Sequence, residues 1–562
     1  MPPSSSSSSS SSLSNNTNSS NDKNDHYTNM DHDGETDKDD GRKSMSLTPR
    51  RNLAMVMLAA LVVAAVYWVN DASNQASYSH TLTSLSTSLS SSLPPKMPLS
   101  LSFTTLPPPL VPRLATPQSS TATTASANQT VAAHDALHKF FNVLSLVNPS
   151  TGWMELAAFR NRQGMKYRWV VTQLRSLAQT MMMGRELACG KPTVPGFSVT
   201  PSSSSSLSNP KDRNENGSEY CFWEGDLVSQ KALQDFAFER PLWQFVIRQF
   251  SKKLQQQQQQ QHKHQWAFLD LGVNVGDWAA PILSVLKSHP NFAYYGVEGS
   301  PPTAALAAAN MVAALSDNSN AKTASAYLFP YPLLPWRLYQ QASHEGGVCF
   351  SSNPGNVGGQ GVPPPTAQQQ QQQKSSLSSS SHNHLVQNLT CAPHLAAGAA
   401  YFPQAAQAVA TTYQSSSSQS SQSTNPWPRF YIAKLDIQDF EFKALSSAVE
   451  WLQRRPPCYI IIEAYPPNSE FAPHMWALWE LLLDAGYNAL WRGHDMFRSG
   501  FVGEFPDADS PPYWKADAKN KTSLYQAWEK DLEGRNWWAY RDYVLGFQDE
   551  EACVERIMST EL

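Results

Sequence analysis

Short apolar runs alternate with stretches of helical period through the second half of the 562-residue chain. The run 266–271 (WAFLDL) predicts a strand, Asp277 to Leu286 a helix, and Phe292 to Glu298 a second strand. Pro301 and Pro302 open an Ala-rich helix through Leu315, and Ala324 to Phe329 is a third, weaker strand. The pattern resumes at 430–437 (FYIAKLDI), a strand, followed by a helix from Phe442 to Leu452 and a buried strand from Cys458 to Glu463. Phe471 to Leu483 is then helical, with Gly486 as its stop, and Tyr487 to Trp491 and Tyr543 to Phe547 are closing strands. Upstream, 135–265 reads as mainly helical. Leu233 to Leu254 has helix-like apolar spacing, with Pro241 as a candidate break before a Gln run. Strands alternating with helices imply an α/β fold, a Rossmann-like, doubly wound and mostly parallel sheet.

One apolar run is of another kind. Leu53 to Val69 (LAMVMLAALVVAAVYWV) carries no charge and at helical rise just spans a hydrocarbon core. Tyr67 and Trp68 close it with an aromatic belt, and Arg42, Lys43, Arg50 and Arg51 precede it. The expectation is one transmembrane signal anchor, N-terminus cytosolic, as in a single-pass type II protein of the secretory pathway. The run is long for a cleaved signal peptide, and the acidic stretch 31–40 argues against a transit peptide.

The organisation follows from composition. Residues 1–52 form a cytosolic tail rich in Ser, Asn and Asp, with too little apolar surface to offset ordering entropy. Residues 70–134 are a Ser, Thr and Pro stem, 135–265 the helical start of the head, and 266–562 its main domain. Gly, Pro, Gln and Ser runs mark an insertion at about 338–425 within that domain. All six cysteines (Cys189, Cys221, Cys349, Cys391, Cys458, Cys553) follow the apolar run, which suits an oxidising lumen. Cys458, opening an apolar strand, reads as an ordinary buried thiol, while Cys349 and Cys391 flank the insertion and could close it. Sequons at Asn128, Asn216, Asn388 and Asn520 agree with a lumenal head, although Asn15 and Asn18 lie before the anchor. A net charge of -4 offers no electrostatic reason to invoke nucleic acid.

The candidate chemistry starts at Asp270-Leu-Gly272-Val-Asn274-Val-Gly276-Asp277-Trp278, a strand turning into a helix. Gly272 permits a tight turn and close approach of a ligand to the backbone, and the helix start offers unpaired amides. Glu298 ends the next strand, where a carboxylate can accept from ribose hydroxyls. The dinucleotide fingerprint needs a second glycine where Asn274 stands, and a side chain there would crowd a pyrophosphate. S-adenosylmethionine, which has no phosphate, fits better, with Asp270 a candidate for its ammonium group. Asp436 and Glu463 end two later strands and would crown the same cleft. They are the candidate catalytic acids, with His474 and His494 as titratable alternatives on a solvated surface. No metal site is expected.

These segments together resemble a known family. The turn DLGVNVGDW, the strand end GVEGSP with Asn310 downstream, KLDIQDFEFKAL, IIIEAYP and LLDAGYNALWR are similar to the FkbM family of methyltransferases, over roughly 266–330 and 430–495. Val273 stands where the family usually has Ala, and Asp439 where it has Gly. The resemblance implies a Rossmann-like fold, S-adenosylmethionine as cofactor and O-methylation of a hydroxylated small-molecule or glycan acceptor. Two other classes stay open. One is a lumenal glycosyltransferase using Asp507-Ala508-Asp509 as a metal-binding triplet, and the other is a binding module that keeps the fold without turnover.

Overall fold

In a computed structural model of the chain, the described residues are 131–133, 135–143, 147–148, 152–160, 167–196, 218–259, 265–316, 324–333, 429–437, 440–446, 448–469, 472–495, 512–515, 522–533 and 540–559. The chain divides into two units, 1–101 and 102–562, and every described residue lies in the second. The tail, the apolar run 53–69, the four sequons, Cys349 and Cys391, the insertion, Asp439 and the triplet 507–509 therefore lie outside the described residues. Among the described residues no helix is long and apolar enough to cross a membrane.

The strands are β1 (Met154–Glu155), β2 (Leu187–Gly190), β3 (Tyr220–Trp223), β4 (Trp266–Leu271), β5 (Phe292–Val297), β6 (Ser325–Phe329), β7 (Arg429–Leu435), β8 (Tyr459–Ala464), β9 (Ala489–Asp495), β10 (Trp514–Lys515) and β11 (Arg541–Gly546). The helices are α1 (Tyr167–Met181), α2 (Leu227–Leu233), α3 (Arg240–Gln259), α4 (Ala279–Leu286), α5 (Pro301–Leu315), α6 (Glu441–Ser446), α7 (Val449–Arg454), α8 (Ala472–Ala485), α9 (Thr522–Leu532) and α10 (Glu550–Met558). Nine strands form one sheet in the order β1-β6-β5-β4-β7-β8-β11-β9-β10. The run β6-β5-β4-β7-β8 is parallel. β11 is antiparallel to both neighbours, so β9 again runs with the parallel set, and β1 and β10 are antiparallel edges. The fold is thus α/β with a mostly parallel sheet, as the alternation of periods predicts.

Helices cover both faces, which is why β4, β5 and β8 are buried along their whole length and read as continuous apolar runs. On one face Phe250 of α3 packs against Phe268, and Phe245 against Tyr459. On the other, Trp451 of α7 meets Phe430, which meets Tyr295. The sheet reverses its winding between β4 and β7, and in such sheets a ligand crevice opens beyond the strands' carboxyl ends at that point.

Several expectations are refined. The segment before β4 is not all helix, because β2 and β3 pair as an antiparallel hairpin closed by the disulfide Cys189–Cys221. Leu233 to Leu254 is not one helix: α2 ends at Leu233, and Pro241 falls in the first turn of α3, where its missing N–H costs nothing. Glutamine is a good helix former, and α3 runs on through the Gln run to Gln259. The helix expected over Phe442 to Leu452 is two, α6 and α7. Ser446 at the end of α6 donates its hydroxyl to the Lys443 carbonyl, the local bonding by which serine competes with helix continuation. The helix after β4 starts at Ala279 rather than Asp277. Gly486 ends α8 as expected. It takes φ +103°, its N–H reaches Leu483 O, and that of Tyr487 reaches Leu482 O.

Cys458 is not an isolated thiol. It is bonded to Cys553 of α10, tying the entry of β8 to that helix across 95 residues of chain. We predict that Cys458→Ala and Cys553→Ala each cost about 2–5 kcal/mol. The double substitution should cost little more than either single one in urea denaturation. Clearly additive single losses would mean that the two sulfurs act separately.

Candidate functional site

The site is built where β4 and β7 hand over to their loops. Gly272 N and Val273 N both donate to Val297 O at the end of β5, and Asp436 N donates to Leu271 O. The loops after β4 and β7 lie so close that a Cβ on Gly272 would stand 1.8 Å from Asp436 O. Gly272 also has φ +92°, where an L side chain is strained. Gly276 serves helix packing, since a Cβ there would lie 3.3 Å from the Cα of Ala307 in α5. Asn274 sits at φ +53°, a left-handed conformation that asparagine tolerates better than most residues. Buried Asn310 of α5 braces this turn. Its Nδ2 donates to Val275 O at 2.9 Å and to Cys221 O at 2.8 Å, and its Oδ1 accepts from Cys221 N.

Strand register then gathers charge on one sheet face. Asp270 pairs with Lys434, Lys434 with Ile461, and two residues further along β8 Glu463 faces Asp542 of β11. Successive side chains alternate faces, so all four polar residues point to the α3 side. Lys434 is the hub. Its Nζ lies 2.9 Å from Asp436 Oδ2, 3.2 Å from Gly272 O and 3.8 Å from Asp270 Oδ1, over the ring of Trp278. Trp278 Nε1 in turn donates to Glu239 Oε2, just before α3, at 2.8 Å. Tyr294 OH donates to Asp270 Oδ2. Glu298 accepts from Asn274 N at 2.9 Å and Ser300 N at 2.8 Å.

Seven carboxyls (Glu239, Asp270, Asp277, Glu298, Asp436, Glu463, Asp542) thus share one electrostatic neighbourhood with Lys434. Burial raises Glu239 to about 8, against the pull of Lys434. It raises Asp270 to about 6 and Asp277 and Glu298 to about 7. Glu463 and Asp542 are pushed well above the carboxylate range by burial and then by neighbouring acids, Asp436 and Glu239 among them. Burial opposes the charge on Lys434, but Asp436, Asp270, Glu239 and Asp277 outweigh it and hold the ammonium well above its usual value.

Asp270, Glu298, Asp436 and Glu463 all come to this end of the sheet, though not all reach outward. Asp270 is fully buried and already held by Tyr294 and Lys434, so it orients the turn and does not reach an ammonium group outside it. What approaches Gly272 is the Asp436 carbonyl of the protein itself, where the sequence suggested a ligand. Glu298 is half-buried and spends one lone pair of each oxygen on the turn, leaving acceptor capacity beyond it. Glu441 caps the loop by accepting from Ile437 N at 2.8 Å. His474 is half-buried on α8, its proton affinity lowered by burial and Lys443, and the side chain of His494 lies outside the described residues. Glu239, Asp277, Lys434 and Asp542 were missed. Lys434 was findable as a charge inside the apolar run 430–435, whereas Asp542 lies just ahead of the strand the pattern predicts from Tyr543 and Glu239 joins only through tertiary packing. Set against protein-family models, curated proteins and solved structures, the chain has no match.

Two outcomes follow. Gly272→Ala should destabilise the domain by at least about 1–3 kcal/mol, the range for positive-φ strain alone, because the contact it makes is with backbone. A melting temperature equal to wild type would refute that packing. The raised acids also set a pH dependence. A carboxyl whose folded value exceeds its unfolded one binds more protons folded, so its stabilising share is complete below about 4 and is lost as pH rises through the folded value. With folded values of about 6, 7 and 8 against unfolded ones near 4, melting temperature should fall between about pH 4 and 8. Lys434 stays charged throughout that window and does not offset the fall. A flat or rising profile in scanning calorimetry would contradict it.

Proposed function

We propose that this chain is an S-adenosylmethionine-dependent methyltransferase of Rossmann-like, doubly wound fold, transferring a methyl group to a hydroxyl of a small-molecule or glycan acceptor. The observation that carries this reading is the sign of the charge at the switch point. Burial favours the neutral form of most of the acids gathered there, but Asp270, at about 6, and in part Asp277 and Glu298, at about 7, still carry negative charge near neutrality, and the lysine among them is already committed to Asp436 and Asp270. Dinucleotides and nucleotide sugars bring two negative phosphates, which such a crevice repels at close range. S-adenosylmethionine brings a sulfonium and an ammonium against one carboxylate, and the crevice attracts it. The departure of Asn274 from the dinucleotide fingerprint points the same way, as does a sheet whose β11 interrupts the six-strand dinucleotide order.

The described residues fit the cofactor at two points. Glu298 retains acceptor capacity for ribose hydroxyls, and buried Asn274 Oδ1 has no hydrogen-bond partner. When bound, the cofactor supplies an electrophilic methyl group. The protein's own residues supply position, which accounts for much of the rate in such a transfer. Asp436, fixed by Lys434 at the end of β7, orients the acceptor hydroxyl, and Glu463 lies across the sheet face from it. Two disulfides, the sequons and the apolar run 53–69 support a type II anchor with the head in the lumen of the secretory pathway.

Calorimetry with S-adenosylmethionine and with a uridine diphosphate sugar, each on wild type and Glu298→Ala, tests the cofactor. The first ligand should bind and lose about 1–3 kcal/mol in the variant. Binding of the nucleotide sugar instead would replace the reading with the glycosyl-transfer one. Binding of S-adenosylmethionine with no turnover across a labelled-methyl screen of hydroxylated acceptors, glycans first, would leave a binding module. Asp436→Asn should lower single-turnover rate by about tenfold to a hundredfold, the worth of a hydrogen bond to a charged group, with cofactor affinity nearly unchanged.

A further inference from the structure

A second group of charges stands at the same end of the sheet, on the opposite face. Tyr543 of β11 is the partner of Arg492 in β9, and alternation turns both, with Arg541, away from Lys434. All three meet Asp531 of α9. Its Oδ2 accepts from Arg541 Nη1 at 2.5 Å and from Tyr543 OH at 2.7 Å, and its Oδ1 lies 2.7 Å from Arg492 Nη2. Arg541 pairs with Ala464, the last residue of β8, which sets the group at the carboxyl ends of the parallel strands. Trp528 Nε1 donates to Tyr465 O at 3.0 Å and fastens α9 to the same strand exit.

The group is closed from beneath and open at one member. The side chains of Asp531 and Arg541 are 5% and 2% exposed and Tyr543 is buried, whereas the Arg492 side chain is 35% exposed. Its guanidinium lies 3.5 Å from the centre of the half-buried Tyr513 ring, and Tyr513 OH donates to Ala527 O in α9. Ring and carboxylate together fix the orientation of the fork, so little freedom is lost when it takes a ligand. Arg492 Nε is enclosed, but Nη1 is not, and Nη1 has no partner among the described residues. One carboxylate cannot neutralise two guanidiniums, so Arg492 has positive charge to offer outward.

We propose that Arg492 binds a carboxylate of the acceptor, at a distance from the hydroxyl that is methylated. The acceptor is then an acidic oligosaccharide and not a neutral sugar or a small alcohol. This rests on the methyl-transfer reading given above. A planar fork matches a carboxylate, which two parallel N–H bonds hold by direction as well as by charge. β9 is three strands from β7, about 14 Å across the sheet at the usual strand spacing. That is longer than one sugar ring, so the carboxylate and the hydroxyl oriented by Asp436 belong to different units of one chain. Opposite charges also keep the two ligands apart. The acids around β4 and β5 draw the cationic cofactor, and the arginine of β9 draws the acceptor.

The test is calorimetry of the full chain, without S-adenosylmethionine, against three probes. They are a short oligouronate, the same oligomer with its carboxyls reduced to alcohols, and a sulfated neutral oligosaccharide of equal length. The oligouronate should bind, and the reduced oligomer should bind about tenfold more weakly or less. Arg492→Ala should weaken oligouronate binding by about tenfold to a hundredfold, as for hydrogen bonds to a charged group. Arg492→Lys keeps the charge without the fork and should recover only part of that loss. Equal binding of the oligouronate and its reduced form overturns the proposal. So does oligouronate binding that Arg492→Ala leaves unchanged, or a preference for the sulfated probe. Should Arg492→Ala fail to fold, the reduced oligomer and Arg492→Lys decide. The parent reading fails separately. Oligouronate binding through Arg492 with no S-adenosylmethionine binding removes methyl transfer and leaves a carboxylate site, whereas cofactor binding with an indifferent Arg492→Ala removes only that site.

Discussion

The ion pairing of Lys434 is the interaction on which the site depends. It is a single ammonium under the sheet face, bonded to Asp436, close to Asp270 and Gly272 O, and roofed by Trp278. Burying a charge is costly unless it is matched, and here each partner belongs to a different part of the framework. Asp270 is β4, Asp436 is the exit of β7, Gly272 is the turn between β4 and α4, and Trp278 carries the connection on to Glu239 before α3. The lysine therefore fixes the relative position of every loop that leaves the switch point. Removing it would leave several buried acids facing one another, so its loss should be felt as disorder of the crevice more than as a missing contact.

Much of this was legible in the sequence, for reasons that can be named. β4, β5 and β8 are buried on both faces, so their apolar runs are unbroken and hard to mistake. The acids at strand ends, Glu298 after β5, Asp436 after β7 and Glu463 near the end of β8, could be assigned to one end of the sheet by chain direction alone. What could not be read was the pairing across strands. That Glu463 faces Asp542 depends on β11 lying between β8 and β9, a non-local choice that local pattern does not encode. The same holds for Cys458, whose apolar setting suits a free thiol as well as half of a disulfide. The roles of individual residues were less legible than their location. Asp270 and Gly272 were read as facing a ligand, and each is used first by the protein.

The helical region ahead of the sheet has a part in this that its composition does not announce. The hairpin of β2 and β3 is held to the turn after β4 through Asn310, which bonds Cys221 on one side and Val275 on the other. Glu239, from the turn before α3, reaches the lysine cluster through Trp278. The segment is thus a wall of the crevice as much as a cover for the sheet, and an account of the site that began at Trp266 would omit half of its support.

The interleaving of β11 has a consequence for biogenesis. Ribosomal synthesis delivers β8 and β9 well before the strand that must separate them. Until residues 541–546 emerge, both strands present unpaired edges, and pairing with each other would be the nearest error open to them. The final strand brings Asp542 with it, and the helix that follows brings Cys553 to Cys458. Completion of the sheet and closure of the covalent tie thus fall in one late event, and until then the two strands that flank residues 541–546 are without the strand that separates them.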